Sequence, residues 1–239
     1  MDFRGVQVTW LGHGTFKLRS PNGKTFLLDP WIVGNPLTPA EHKQVGKLDA
    51  ILITHAHSDH TADAVTIARQ SQPEQVVAIF ELAAWLEGKG VQNTIGMNKG
   101  GTVEVQGVKV TMVHAVHSSG IVENGSIIYG GDAAGFVLDF GNGFRLYAAG
   151  DTAVFTDMQL IGQLYQPQVA ILPIGDFYTM SPREAAYATR LCGVQAVIAA
   201  HYGTFPVLRG TPGALREELS KLGLGHVEVI DIKPGQTAG

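Results

Sequence analysis

Three histidines and one aspartate occur within six positions of the chain, at His55, His57, Asp59 and His60. Imidazole nitrogens and carboxylate oxygens are the ligands through which proteins bind zinc, manganese and iron. In an extended or turning segment, His55 and His57 can point toward one ion while Asp59 and His60 turn toward a second. A solvated polar loop would rarely carry this spacing, so the segment predicts a centre for divalent metal ions.

An apolar run at 50–53, rich in β-branched side chains, directly precedes these residues. Such a run, bounded by polar residues, predicts a buried strand of a parallel or mixed sheet. In sheets covered by helices, ligand sites gather at the carboxyl ends of strands, which is where the histidines fall. The apolar spacing at 62–70 predicts a helix that begins where the histidines end.

Two further candidates lie at the ends of predicted strands near the N-terminus. His13 stands between two glycines after the strand at 6–10, and its spacing alone is equally typical of a surface histidine. Asp29 closes the strand at 24–28 and precedes a proline. It could orient a metal-binding histidine by a hydrogen bond, or it could simply form a turn.

A strand predicted at 108–113 runs into His114 and His117. His114 continues the apolar face of that strand, so we expect it to pack in the core or at the strand end. His117 lies past the strand beside two serines and a glycine, where it could reach a metal. Side chains alternate along a strand, so residues three apart face opposite sides and are not expected to bind the same ion.

The segments 16–29 and 136–151 resemble each other. Each contains Phe-x-Leu followed by Asn-Gly, and each ends in an aspartate, Asp29 or Asp151. This weak repeat predicts two similar halves with the site between them, although similar hairpins alone would also produce it. Asp151 could cap the following segment. The number of other candidate ligands favours a carboxylate that bridges two cations.

The motif His55-Ala56-His57-Ser58-Asp59-His60 after an apolar strand resembles the signature of the metallo-β-lactamase superfamily. Later motifs resemble one branch of it, the small bacterial and archaeal metal-dependent hydrolases, which are similar to ascorbate-6-phosphate lactonase and N-acylphosphatidylethanolamine phospholipase D. These motifs are His117-Ser118-Ser119-Gly120, Gly150-Asp151-Thr152, Pro173-Ile174-Gly175-Asp176 and His201-Tyr202-Gly203-Thr204-Phe205-Pro206. The resemblance runs from Gly12 to His201 and implies an α/β fold, the four-layered αβ/βα sandwich.

The resemblance also implies a set of metal ligands. The first ion would be held by His55, His57 and His117. The second would be held by Asp59, His60 and His201, with Asp151 shared between them. We expect two divalent ions per chain, zinc or manganese, and nitrogen and oxygen ligands also allow iron. Four further residues are expected to orient ligands or contact the substrate: His13, Asp29, Asp176 and Tyr178.

Composition narrows the class of protein. The chain has 239 residues, 45% of them hydrophobic, which suffices for one domain spanning 1–239 with a substantial core. Its net charge is −4 and no block of Lys or Arg stands out, so a broad nucleic-acid surface is not indicated. The single cysteine and an N-terminus unlike a signal peptide favour a cytoplasmic protein, and no apolar run predicts a membrane span.

These features predict a binuclear metal-dependent hydrolase acting on a small-molecule substrate. A metal-bridged hydroxide would cleave a small ester, lactone or phosphodiester. Asp59 would be the catalytic residue that orients the nucleophile or passes a proton. The alternatives are a di-iron oxidoreductase, which would need an electron donor, and a metal-binding regulatory protein without turnover. The loop at 32–47 is expected to wall the pocket, and a homo-oligomer is left open.

Overall fold

The computed structural model describes all 239 residues, Met1–Gly239. The β-strands, in chain order, are β1 (Gln7–Gly12), β2 (Thr15–Arg19), β3 (Thr25–Leu28), β4 (Ala50–Leu52), β5 (Gln75–Ile79), β6 (Thr94–Met97), β7 (Thr102–Val105), β8 (Val108–His114), β9 (Gly120–Glu123), β10 (Ser126–Tyr129), β11 (Ala134–Asp139), β12 (Arg145–Ala148), β13 (Val169–Pro173), β14 (Ala196–Ala200), β15 (Glu228–Ile230) and β16 (Thr237–Ala238).

Six α-helices accompany the strands. They are α1 (Ser58–Thr61), α2 (Ala64–Ser71), α3 (Phe80–Gly88), α4 (Met158–Tyr165), α5 (Pro182–Cys192) and α6 (Pro212–Lys221). None of them has both the length and the apolar character that a helix needs to cross a bilayer.

The strands form two seven-stranded sheets with the same topology. The first has the order β16-β1-β2-β3-β4-β5-β6, and the second has the order β15-β14-β13-β12-β11-β8-β7. In each sheet, four antiparallel strands lead into three parallel ones, with β3 and β12 at the change of direction. The repeat seen in the sequence corresponds to β2-β3 and β11-β12, so the predicted two similar halves are present. The β9-β10 hairpin forms a separate small sheet.

The core lies between the two sheets, and each sheet is covered outside by helices. Alternate residues of β13 illustrate this arrangement. Val169 and Ile171 join the cluster of 45 buried residues that spans both sheets, whereas Ala170 and Leu172 face a second cluster with residues of α4, α5 and α6. Residues of α2 and α3 pack on the first sheet. The four layers are therefore helix, sheet, sheet and helix, which confirms the predicted αβ/βα sandwich.

The segment with the predicted metal ligands, residues 55–60, differs from its predicted local structure. The helix predicted at 62–70 is present as α2, but a helical turn already begins at Ser58, so Asp59 and His60 lie within α1 rather than in a loop. This helical turn follows β4 and places the side chains of Asp59 and His60 close together. The hairpin β9-β10 and the short strands β6 and β16 were also not predicted.

The loop at 32–47 does not wall the candidate site. It folds back against β1 instead, where Thr38 Oγ1 donates to the Leu11 carbonyl and Asn35 Nδ2 donates to the Gly12 carbonyl. The Lys43 ammonium closes the loop by donating to three backbone carbonyls, one of which belongs to Asn35. None of its residues lines the cavity beside the candidate site, so the expectation that this loop walls the pocket is wrong.

The start of α5 offers a test of local stability. Ser181 and Glu184 form a reciprocal capping box, in which each side chain accepts the other residue's backbone N–H. Removing such a cap costs about 1 kcal/mol. We expect Ser181→Ala to lower the midpoint of thermal unfolding by about 2–4 °C, as measured by circular dichroism. Ser126→Ala is the matched control, because Ser126 is exposed and its hydroxyl makes no hydrogen bond in the structure.

Because one core spans both sheets, we also propose that residues 1–239 unfold as one domain. A single transition for both variants is the expected result. An unchanged midpoint in Ser181→Ala would contradict the capping role, and two separate transitions would contradict the single domain.

Candidate metal centre

The predicted metal ligands meet at one edge of the sandwich, where the parallel strands end. The first half supplies residues that follow β4, and the second half supplies residues that follow β8, β12 and β14. In that order they are His55, His57, Asp59, His60, His117, Asp151 and His201. The site is thus built at the seam between the two similar halves.

His55, His57 and His117 form the first cluster. His57 Nδ1 lies 3.0 Å from His55 Nε2 and 3.2 Å from His117 Nε2. Burial lowers the pKa of all three imidazoles, most strongly that of His55. The rings are therefore neutral near pH 7 and turn three nitrogens toward one point, which is the donor arrangement of a zinc-like cation.

His60, His201, Asp59 and His13 form the second cluster, with one donor atom of each within 4.8 Å of the others. Asp59 Oδ2 lies 3.8 Å from His201 Nε2 and 3.0 Å from His13 Nε2. Burial opposes ionisation of Asp59, but the hydrogen bond with His13 and the charge of His60 hold the pKa of its carboxyl below its usual range. The cluster therefore contains an ionised carboxylate.

Asp151 lies between the two clusters. Its Oδ2 is 3.9 Å from His55 Nε2 and 3.6 Å from His117 Nε2 on one side. On the other side, Oδ2 is 3.0 Å from His201 Nε2 and Oδ1 is 3.4 Å from His60 Nε2. Burial would raise the pKa of Asp151, but His201 and His60 hold it well below the usual range. One buried carboxylate thus contacts both clusters.

A buried hydrogen-bond chain orients two of the histidines. Asp29 accepts from the Thr54 backbone N–H at 2.7 Å and from the Thr54 hydroxyl at 2.7 Å. Because that hydroxyl proton goes to Asp29, its oxygen accepts from His55 Nδ1 at 3.1 Å. His60 Nδ1 also donates to Asp29, at 2.9 Å. In both rings Nδ1 is thus the partnered nitrogen and Nε2 faces the candidate ligand cluster, which is the usual arrangement of a histidine ligand with a hydrogen-bond partner behind it.

His60 provides the test of whether this site suits a metal. Its Nε2 is buried and makes no hydrogen bond of good geometry, although Asp151 Oδ1 lies 3.4 Å away. A buried polar nitrogen without a partner costs about 1–3 kcal/mol, which a bound cation would offset. Burial opposes the charged form of His60, yet Asp151 and Asp29 hold its pKa well above the usual value. The position favours a positive charge, and the donor set of imidazoles and carboxylates fits divalent ions.

Close backbone approach and positive φ angles fix the site residues. His13, Asp29 and His201 have φ angles of 56°, 49° and 54°, in the left-handed region that most residues avoid. Such conformations persist where the surrounding structure enforces them, and they concentrate at functional sites. A Cβ at Gly14 would lie 2.5 Å from His60 Cε1, so glycine is required for His60 to pack against the β1-β2 turn.

His13 lies inside the second cluster rather than at the surface. Its Nδ1 is 2.9 Å from Thr204 Oγ1, and the Thr204 hydroxyl can donate to it. In that arrangement His13 Nε2 donates to Asp59 and holds the carboxylate in place. Burial lowers the pKa of His13 to about 4, so the ring is neutral near pH 7.

The remaining predicted residues are placed differently. Tyr178 lines a cavity of about 600 Å³ in front of the histidines, a size typical of small-molecule sites. Asp176 is exposed and does not line this cavity, and its carboxylate accepts the Phe177 backbone N–H.

His114 ends β8 but its side chain is exposed, with its ring 5.2 Å from that of Phe155. Packing of His114 in the core is therefore wrong, while its place at the strand end is confirmed.

Several residues of the site were not predicted from the sequence. They are Thr54, which connects Asp29 to His55, and the cavity residues Trp31, Ser118 and Phe205, together with Thr204. Each lies within four positions of a predicted site residue. Proximity in the chain was the available signal, but it does not indicate which neighbours point into the cavity.

Comparison with known proteins agrees with this geometry. Residues 24–202 match the family model described as the Beta-lactamase superfamily domain. The chain belongs to this family. It is 53% identical to a UPF0173 metal-dependent hydrolase of Koribacter versatilis over 99% of both chains. It is 54% identical to the corresponding protein of Solibacter usitatus, over 97% of this chain and 98% of that one.

Among solved structures, the fold is similar to that of Igni18, a metallo hydrolase from the archaeon Ignicoccus hospitalis. The TM-score is 0.84 at 35% identity, over 98% of this chain and 97% of that chain. The predicted superfamily and fold are therefore confirmed, and the chain is a member of the UPF0173 metal-dependent hydrolases.

His114 and His117 provide a matched pair for testing the first cluster. We expect His117→Ala to remove a donor nitrogen and to weaken metal binding and turnover sharply. His114→Ala should leave metal affinity within about 10-fold of the parent protein, since even residues that only orient ligands rarely contribute more than 10–100-fold. Titration of the metal-free variants with zinc or manganese gives both affinities. Loss of binding in His114→Ala with normal binding in His117→Ala would contradict the assignment.

Proposed function

We propose that this protein is a binuclear metal-dependent hydrolase that cleaves a small ester, lactone or phosphodiester. The observation that carries the proposal is the position of Asp151, which lies within 3.9 Å of a nitrogen from two histidines of each cluster. A carboxylate in that position is suited to bridge two cations.

In this proposal His55, His57 and His117 would hold the first ion. Asp59, His60 and His201 would hold the second, and Asp151 would be shared. Nitrogen and oxygen donors suit zinc or manganese. When bound, two such ions would supply a nucleophilic hydroxide near neutral pH and stabilise negative charge on the substrate oxygen.

The protein's own residues orient the reaction. Asp59 faces the cavity and is held by His13, so we assign it the catalytic role of positioning the nucleophile or passing a proton to the leaving group. Asp29 and Thr54 fix the rings of His60 and His55 from behind. The cavity size supports a small-molecule substrate. The single cysteine, Cys192, is buried and free, which suits the cytoplasmic location that we propose.

Hydrolytic activity and its dependence on metal test this proposal. We expect purified protein to hydrolyse at least one compound in a panel of esters, lactones and phosphodiesters. A chelator should abolish that activity, and zinc or manganese should restore it. Asp59→Asn should lower kcat by about 10²–10⁴-fold, the usual contribution of a general acid or base. Asp157→Asn is the matched control, because Asp157 is exposed and its side chain makes no capping hydrogen bond.

The alternatives predict other results. Tight metal binding without turnover on any compound would indicate a regulatory protein. Turnover only with iron, dioxygen and an electron donor would indicate a di-iron oxidoreductase. Either result would contradict the proposed hydrolysis.

A further inference from the structure

One wall of the cavity consists of aromatic rings. The rings of Trp31 and Phe205 have centroids 6.0 Å apart and planes 27° from parallel. Both rings meet His13, at centroid distances of 5.2 and 5.4 Å. Trp31 follows β3 of the first half and Phe205 follows β14 of the second. The wall therefore closes the seam between the halves beside the second cluster.

Trp31 is enclosed in this wall, with 9% of the residue exposed. Its backbone carbonyl accepts hydrogen bonds from Thr15 Oγ1 at 3.1 Å and Asn35 Nδ2 at 3.2 Å, which fix the backbone that carries the ring. Tyr178, which lines the same cavity, is 55% exposed. A flat apolar surface that is fixed in advance binds a flat ligand at little entropic cost. Aromatic pairs add to the free energy of burial itself.

Histidines are the only basic side chains that line the cavity. None of its lining residues is Lys or Arg, and its acidic members are Asp59 and Asp151. The lining therefore offers no permanently cationic side chain to a negatively charged group of a substrate, and its two carboxylates would repel such a group. An anionic group that lies away from the reacting bond of a substrate is usually bound by Arg or Lys, and the cavity offers neither.

We propose that the substrate is an uncharged carboxylic ester or lactone with a flat apolar group that packs on Trp31 and Phe205. This inference rests on the proposed hydrolase function and narrows it, because phosphodiesters carry a negative charge. One water is consumed: its oxygen bonds to the acyl carbon, and the bond from that carbon to the alcohol oxygen breaks. The alcohol oxygen keeps the electron pair and takes one proton, and the acid product releases the other.

Two esters that differ by one charge test the proposal. Methyl 4-acetoxybenzoate and 4-acetoxybenzoate share the ring and the acetyl ester, but only the second is an anion. With metal-loaded protein we expect kcat/KM for acetyl cleavage to be at least about 10-fold higher for the neutral ester, a difference of about 1.4 kcal/mol. Equal or faster cleavage of the anion would overturn the proposal.

Variants of the wall separate ring recognition from chemistry. Trp31→Ala and Phe205→Ala should each lower kcat/KM for methyl 4-acetoxybenzoate by about 10-fold, with metal content unchanged. Cleavage of 2,2,2-trifluoroethyl acetate, which has no ring, should change by less than about 2-fold. Phe80→Ala is the control and should affect neither ester, because Phe80 is 62% exposed and lies outside the cavity lining. An equal loss on both esters would contradict the role of the wall.

Binding of the products keeps this inference separate from the proposed function. Methyl 4-hydroxybenzoate should quench tryptophan fluorescence of the metal-loaded protein at least about 10 times more tightly than 4-hydroxybenzoate does. Trp31→Phe should remove most of that quenching. If no ester is cleaved but the neutral product binds preferentially, only the proposed reaction fails. If the anion binds better, the substrate class is wrong even where esters are cleaved.

Discussion

The structure depends on a buried carboxylate, Asp151, that is surrounded by imidazoles from both halves of the protein. An isolated charge in such a place would be unstable, so it requires positive partners. His201 and His60 already favour its ionised form. The backbone before it must also approach the other half closely, since a Cβ at Gly150 would lie 2.8 Å from Thr54 Cβ. The two halves therefore pack closely at this seam, and the buried carboxylate there favours the binding of cations.

The repeated topology explains how one edge collects so many ligands. Each sheet changes from antiparallel to parallel pairing at one strand, and the loop after that strand carries an aspartate in both halves. In the first half Asp29 lies behind the ring of His60, and in the second Asp151 faces the donor atoms. The same position thus orients a candidate ligand in one half and is itself a candidate ligand in the other. The aromatic wall is also shared between the halves, because each half contributes one ring to it.

Elements with strong local signals were predicted from the sequence. The apolar strand before His55 and the capped helix after Ser181 are both present, because each depends on a local pattern. The exposed hairpin β9-β10 was missed because all four residues of β10 are exposed, so no alternation marks it. His114 was misplaced because its strand faces solvent at its last residue. The aromatic wall joins residues 174 positions apart, a contact that only the tertiary fold determines.

The central claim, two metal ions that share Asp151, is tested most directly by anomalous diffraction from crystals of zinc- or manganese-loaded protein. The account predicts two anomalous peaks about 3.5–4 Å apart with the Asp151 carboxylate between them. It also predicts that at least one peak is weakened in crystals of Asp151→Ala grown under the same metal concentration. A single peak in the parent protein despite excess metal, or two full peaks in Asp151→Ala, would contradict it.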